Sequence, residues 1–152
     1  MTLSQKETDI LKDLKSQEQL CIEKYKKYEK EACDPALKSI FSELRSVEEG
    51  HLSTIVKIRG GEEVSMPGQS PAAAQQKYNG APSTCPEASK QTDAFLCKDA
   101  LSMEKHVSGV YDTGIFEFSS PVLRDTLAHI QKEEQNHGEK LYSYLAANNM
   151  YN

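Results

Sequence analysis

The sequence predicts an all-α protein, a four-helix bundle made of two copies of one helical hairpin. Three observations lead there. Apolar residues recur at alternating steps of three and four along four separate segments. The two halves of the chain superpose at a constant offset of 86 residues. The composition is 38% hydrophobic and 27% charged, with no Trp and a mean hydropathy of −0.64, which suits amphipathic helices better than strands. A length of 152 residues is right for one domain, expected to span residues 1–152.

The first segment runs from residue 3 to 33 without Pro or Gly and repeats Leu11, Leu14, Glu18, Cys21, Tyr25, Tyr28 and Ala32 on one face, the spacing of a helical seam. Asp34-Pro35 then supplies an N-cap and a proline at the first helical position. A second seam follows as Leu37, Phe41, Leu44, Glu48, His51, Ile55 and Ile58, closed by Gly60-Gly61. This is hairpin one, residues 3–59.

From 60 to 92 the pattern breaks at Met66-Pro67-Gly68, Ser70-Pro71, Asn79-Gly80 and Ala81-Pro82, so this stretch is a connection. A crossover spanning the bundle must cover about 40–45 Å at ~1.5 Å per helical residue, and some thirty extended residues reach further. A long crossover is therefore expected, with simple up-and-down order also permitted by the length. Hairpin two, residues 93–149, has a third seam of Cys97, Ala100, Glu104, Val107, Tyr111, Gly114 and Phe118. After Ser120-Pro121 comes a fourth, Leu123, Leu127, Ile130, Glu134, His137, Leu141 and Tyr144, which is expected to stop near Asn148-Asn149. The offset matches Glu18 to Glu104, Tyr25 to Tyr111, Pro35 to Pro121, Lys38 to Arg124, Glu48 to Glu134 and His51 to His137.

Each hairpin thus places one Glu and then a Glu-x-x-His pair where apolar residues belong. Glu18 and Glu48 lie at similar distances from the Asp34 turn, so an antiparallel hairpin brings them level, with His51 one turn away. Four buried carboxylates repel one another and lose hydration unless they take up protons or cations. Two divalent ions balance four negative charges. An oxygen-rich set with one imidazole per metal suits iron or manganese. The expected ligands are Glu18 and His51 for one metal, Glu104 and His137 for the other, and Glu48 and Glu134 between them, with positions left for water, dioxygen or peroxide. Tyr25 and Tyr111, two turns beyond the first Glu of each hairpin, are candidates to donate hydrogen bonds to those carboxylates or electrons during oxidation; the alternative is ordinary core aromatics. A metal-free hydrogen-bonded network is the other reading of the six polar residues.

Eighteen Lys and Arg against 23 Asp and Glu give a formal charge of −5. The basic residues are scattered, which argues against a nucleic-acid partner. No apolar run approaches the ~20 residues that span a bilayer. The N-terminus lacks a secretory apolar region, so the protein is expected to stay in the cytoplasm. Cys21, Cys33, Cys85 and Cys97 form no C-x-x-C pair and are expected as buried free thiols in a reducing compartment. His106 and His129 fall off the seams and are expected at the surface. Glu49, Glu133 and Glu139 are expected in solvent, with Glu49 and Glu133 near enough to the central Glu residues to support them.

The paired Glu and Glu-x-x-His halves resemble the di-metal sites of the ferritin-like superfamily, which includes bacterioferritins, rubrerythrins and manganese catalases. More closely, LKDLKSQEQLCIEKYKKYEKEACDP and EKHVSGVYDTGIFEFSSPVLRDTLAHIQKEEQNHGEKLYSYL resemble the coat F family of spore coat proteins from spore-forming bacteria, most strongly in the second half. That resemblance implies a role in sporulation, assembly onto the spore coat and other coat proteins as partners. The ferritin-like likeness implies oxidase, peroxidase or catalase-like chemistry; the missing C-x-x-C pairs leave any redox cycle dependent on an external reductant. Bundles of this family often pair, so a homodimer is open, although no outer face carries a seam that demands one.

Overall fold

Helix α1 (Gln5–Glu31) opens with a reciprocal cap: the Ser4 hydroxyl accepts from the Glu7 N–H at 3.1 Å while the Glu7 carboxylate accepts from the Ser4 N–H at 2.8 Å. Helix α2 (Pro35–Arg59) starts on Asp34, whose side chain accepts from the Ala36 N–H, and ends at Gly60, followed by Gly61 with φ 93°. Only glycine takes that left-handed conformation without a steric cost. Helix α3 (Glu87–Glu117) follows Pro86, and α4 (Pro121–Ala147) follows Ser120, whose hydroxyl accepts from the Leu123 N–H. The computed structural model describes residues 2–64 and 76–151. The breakers Met66-Pro67-Gly68 and Ser70-Pro71 lie outside the described residues.

Among the described residues the protein is all helix, four helices with no strand, compatible with a four-helix bundle. Helix α3 begins at Glu87 rather than near 93. Acidic Glu87 in the first turn suits the helix dipole; the polar stretch 87–92 conceals this onset because it has few apolar residues to mark a period.

Every apolar seam residue named above is buried, from Leu11 to Tyr144. The hairpins are locked together by a pair of equivalent contacts. Glu7 in the first turn of α1 accepts from the Ser119 N–H at 3.2 Å, in the turn between α3 and α4. Asp93 in α3, fully buried, accepts from the Cys33 and Asp34 N–H groups at 2.8 and 3.0 Å, in the turn between α1 and α2. Glu7 and Asp93 are themselves 86 positions apart. Each hairpin therefore satisfies the exposed donors of the other hairpin's turn. Tyr144 adds a hydrogen bond to Asp34 at 2.7 Å. These contacts make α1 antiparallel to α3 and α2 antiparallel to α4. The described ends of the connection touch opposite ends of α4, where Thr126 donates to the Val64 carbonyl and Ser143 accepts from the Tyr78 N–H.

The cysteines depart from expectation. Cys33 and Cys85 form a disulfide, while Cys21 and Cys97 are buried free thiols. The bridge tests badly against a reducing compartment. It joins the turn between α1 and α2 to the residues leading into α3, a proximity created by the packing of the two hairpins and invisible in a separation of 52 residues.

The Glu7 contacts give a measurable effect. Hydrogen bonds, chiefly from the Ser4 N–H, hold the Glu7 carboxyl below its usual 4.5. A lowered carboxyl stabilises the fold above its unfolded value, and that contribution disappears as the pH falls through the folded value. Glu7→Ala is expected to cost about 1–2 kcal/mol near pH 7. In urea unfolding the gap to the unsubstituted protein should close as the pH drops below about 4; a gap independent of pH would show that the carboxylate is not responsible.

Candidate metal centre

Each helix presents its polar seam residue at mid-bundle: Glu18 from α1, Glu48 and His51 from α2, Glu104 from α3, Glu134 and His137 from α4. All six are buried. Because residues three apart share a helix face, Glu48 and His51 point to the same place, as do Glu134 and His137. The side chains form two groups, Glu18, Glu48, His51 and Glu134, and Glu48, Glu104, Glu134 and His137, in each of which one ligand atom per residue lies within 4.8 Å of the others. Glu48 and Glu134 belong to both.

Both imidazoles turn Nδ1 inward. His51 Nδ1 lies 3.3 Å from Glu48, 3.2 Å from Glu134 and 3.9 Å from Glu18. His137 Nδ1 lies 3.0 Å from Glu48, 3.2 Å from Glu104 and 3.9 Å from Glu134. The rings stack with centroids 6.0 Å apart.

Tyr25 and Tyr111 both reach the site, each across to the other hairpin. The Tyr25 hydroxyl donates to Glu104 at 2.5 Å and the Tyr111 hydroxyl to Glu18 at 2.7 Å. Burial and the neighbouring carboxylates push both phenols well up, so they stay protonated and remain donors. Cys21 is likewise held protonated by burial and the surrounding carboxylates.

Without a cation the cluster balances itself with protons. Burial, then the Glu48 charge, raises Glu18 well above the usual carboxyl range, and burial with the charges of Glu104 and Glu48 does the same for Glu134. Burial also opposes ionisation of Glu48, but hydrogen bonding from Glu18 and the two imidazoles outweighs it and holds Glu48 well below. Burial disfavours the charged imidazoles too; the carboxylates prevail, raising His51 well above its usual value and His137 to about 9. Even so, among the described residues Glu18 Oε2, Glu104 Oε2 and both oxygens of Glu134 accept no well-aligned N–H or hydroxyl hydrogen bond, although His51 Nδ1 stands 3.2 Å from Glu134. Buried carboxylate oxygens without donors are costly, and a hard cation is the partner that their chemistry fits.

Two residues lie elsewhere than expected. Glu133 is buried, not solvated, and accepts from His51 Nε2 at 2.9 Å. His129 is largely covered beside it, 3.5 Å from the same carboxylate. The signal was present, since residue 133 occupies the place of Val47 in the repeat, a buried position. Among the described residues His137 Nε2 has no such partner. His106, Glu49 and Glu139 are exposed as expected.

With this geometry described, the comparison with known families can be placed on it. Residues 92–152 match the Coat F domain. The match covers α3 apart from its first turns, and all of α4, and so includes Glu104, Glu134 and His137. No curated protein and no solved structure matches the chain. The Coat F match suggests association with the spore coat. No helix among the described residues is long and apolar enough to cross a membrane.

Replacing Tyr25 by Phe keeps the ring and removes only the hydroxyl that donates to Glu104. Leaving that buried oxygen with only the longer His137 Nδ1 contact at 3.2 Å is expected to destabilise the metal-free protein by about 1–2 kcal/mol in denaturant unfolding. A change within error would mean that Tyr25 serves only as a core aromatic.

Proposed function

We propose that the protein is a two-metal carboxylate protein of the spore coat, holding two iron or manganese ions between its hairpins. The observation that carries this reading is the pair of buried ligand groups sharing Glu48 and Glu134. In it Glu18 and His51 serve one ion, Glu104 and His137 the other, and Glu48 and Glu134 bridge. Held there, iron or manganese would supply redox chemistry toward dioxygen or peroxide.

The chain's own residues have separable tasks. Tyr25 and Tyr111 orient the Glu104 and Glu18 carboxylates by donating to one oxygen of each. Glu133 accepts the Nε2 proton of His51, which fixes the ring so that the Nδ1 lone pair faces the site once its proton is displaced. The four carboxylates neutralise the cations, and the surrounding apolar seams exclude bulk water. The Coat F match supports placement on the spore coat, with other coat proteins as partners.

That same match favours a second reading, in which the ions only stabilise the bundle. Ligands contributed by all four helices would tie both hairpins together, and a ligand at a hundred times its dissociation constant stabilises by about 2.7 kcal/mol. Peroxide consumption and ferrous oxidation at background, together with a clear rise in melting temperature on metal addition, would select this role; robust turnover would reject it.

Metal analysis of protein isolated without chelator is expected to give close to two equivalents of iron or manganese, dropping below about half an equivalent in the Glu48→Ala, Glu134→Ala double variant. Equal, sub-stoichiometric metal in both would refute the two-metal reading.

Protonation sets the pH dependence. The raised Glu18, Glu134, His51 and His137 hold protons near neutrality that metal must displace. Manganese affinity is therefore expected to strengthen about tenfold per pH unit for each proton released as the pH rises from 6 to 8. Competition with a metal indicator measures it, and a flat profile would contradict the protonation pattern.

A further inference from the structure

The internal repeat makes the two hairpins equivalent at the ligands but not on their outer faces. Between α3 and α4 lies a cavity of about 430 Å³, with Leu101, Gly138, Tyr142 and Tyr151 among its lining and Glu104 and Glu134 at its inner end. At the matching places hairpin one carries Leu52 where hairpin two has Gly138, and Ile22 where it has Ser108. Both Leu52 and Ile22 are half-buried. The small residues Ser108 and Gly138 thus leave room that their repeat mates fill with apolar side chains.

The size of this space bears on its occupant. Water takes about 30 Å³ in the liquid, and dioxygen and peroxide are only slightly larger, whereas pockets of about 300–1,000 Å³ hold organic ligands. The chemistry of the walls narrows the choice. Tyr142 and Tyr151 meet edge-to-face with ring centroids 5.0 Å apart, presenting aromatic surface that suits another ring. Lys105 and Glu139 also line the cavity, one charge of each sign, and with the Glu104 and Glu134 carboxyls at its inner end the lining does not favour an anionic ligand. At the inner end the buried Glu104 and Glu134 carboxyls line the cavity, and neither oxygen of Glu134 makes a well-aligned hydrogen bond among the described residues, so a ligand carrying one hydroxyl has polar partners there.

We infer that the groove between α3 and α4 is a binding site for a small neutral phenol, ring against Leu101, Tyr142 and Tyr151 and hydroxyl toward Glu104 and Glu134. The inference deepens the two-metal reading, on which it rests for its functional meaning, by naming the class of organic molecule admitted beside the ligands. At the equivalent positions hairpin one carries the larger apolar Leu52 and Ile22.

The test uses 4-ethylphenol titrated into isotopically labelled full-length protein, metal-free and metal-loaded, followed by NMR. Saturable shifts confined to amides around Leu101, Ser108, Gly138 and Tyr151, with a dissociation constant of about 1 mM or below, are expected. Gly138→Leu, which installs the residue of the repeat mate, should weaken binding at least tenfold while leaving metal content unchanged. Gly138→Ala guards against misfolding, because its Cβ would meet only Leu101 Cδ1 at 3.6 Å, an ordinary contact; Tyr142→Ala removes a half-exposed rim ring, and each should weaken binding severalfold. Absence of saturation, scattered shifts, or equal affinity in folded Gly138→Leu and Tyr142→Ala would overturn the inference. Because the metal-free protein is titrated as well, loss of the phenol site is read separately from absence of metal: a protein that takes up metal but binds no phenol defeats this inference alone, and one that binds phenol but takes up no metal when it is offered defeats the two-metal reading alone.

Discussion

Four carboxylates and two imidazoles meet in the middle of this bundle, and the rest of the molecule is arranged around the cost of burying them. Charge taken out of water must be neutralised by protons, by opposite charge or by a cation. In the protein as described, protons do part of this work: Glu18 and Glu134 hold theirs, Glu48 is ionised, and both imidazoles are favoured in the charged form. Yet among the described residues several of the carboxyl oxygens make no well-aligned hydrogen bond. A core that wanted only stability would place apolar side chains here, as it does one turn above and below, with Cys21, Leu44, Val107 and Ile130.

Holding such a cluster requires that the helices be fixed in register, and the duplicated hairpin provides this twice. Glu7 and Asp93 occupy equivalent positions and each accepts from backbone donors in the other hairpin's turn. Tyr25 and Tyr111 cross the same interface to the first Glu of the opposite hairpin. Neither hairpin can satisfy its own buried groups alone, which makes the association of the two halves specific in angle and height rather than a general apolar contact.

The departures from the repeat are as informative as the repeat. Glu133 stands where Val47 stands in hairpin one, so only His51 has a carboxylate at its outer nitrogen. Gly138 stands where Leu52 stands, and the cavity lined by Glu104 and Glu134 lies on hairpin two. The two halves of the site are chemically similar at the centre and different at the periphery, and the proposed organic ligand depends on that difference.

Helix content, the seam residues, the turns at Asp34-Pro35 and Ser120-Pro121 and the six polar residues at mid-bundle were all legible in the chain, because each is governed by local spacing: period along a helix, capping chemistry and the interval between repeats. The onset of α3 at Glu87 was not, since polar residues 87–92 leave the period unmarked. The Cys33–Cys85 disulfide, the burial of Glu133 beside His51 and the exchange of turn contacts through Glu7 and Asp93 needed the tertiary structure. All three join residues on different hairpins or at their ends, and their proximity depends on how the hairpins pack, a quantity that no spacing within one helix contains. The sequence alone determined what each helix would bury; packing the two hairpins decided which buried group met which.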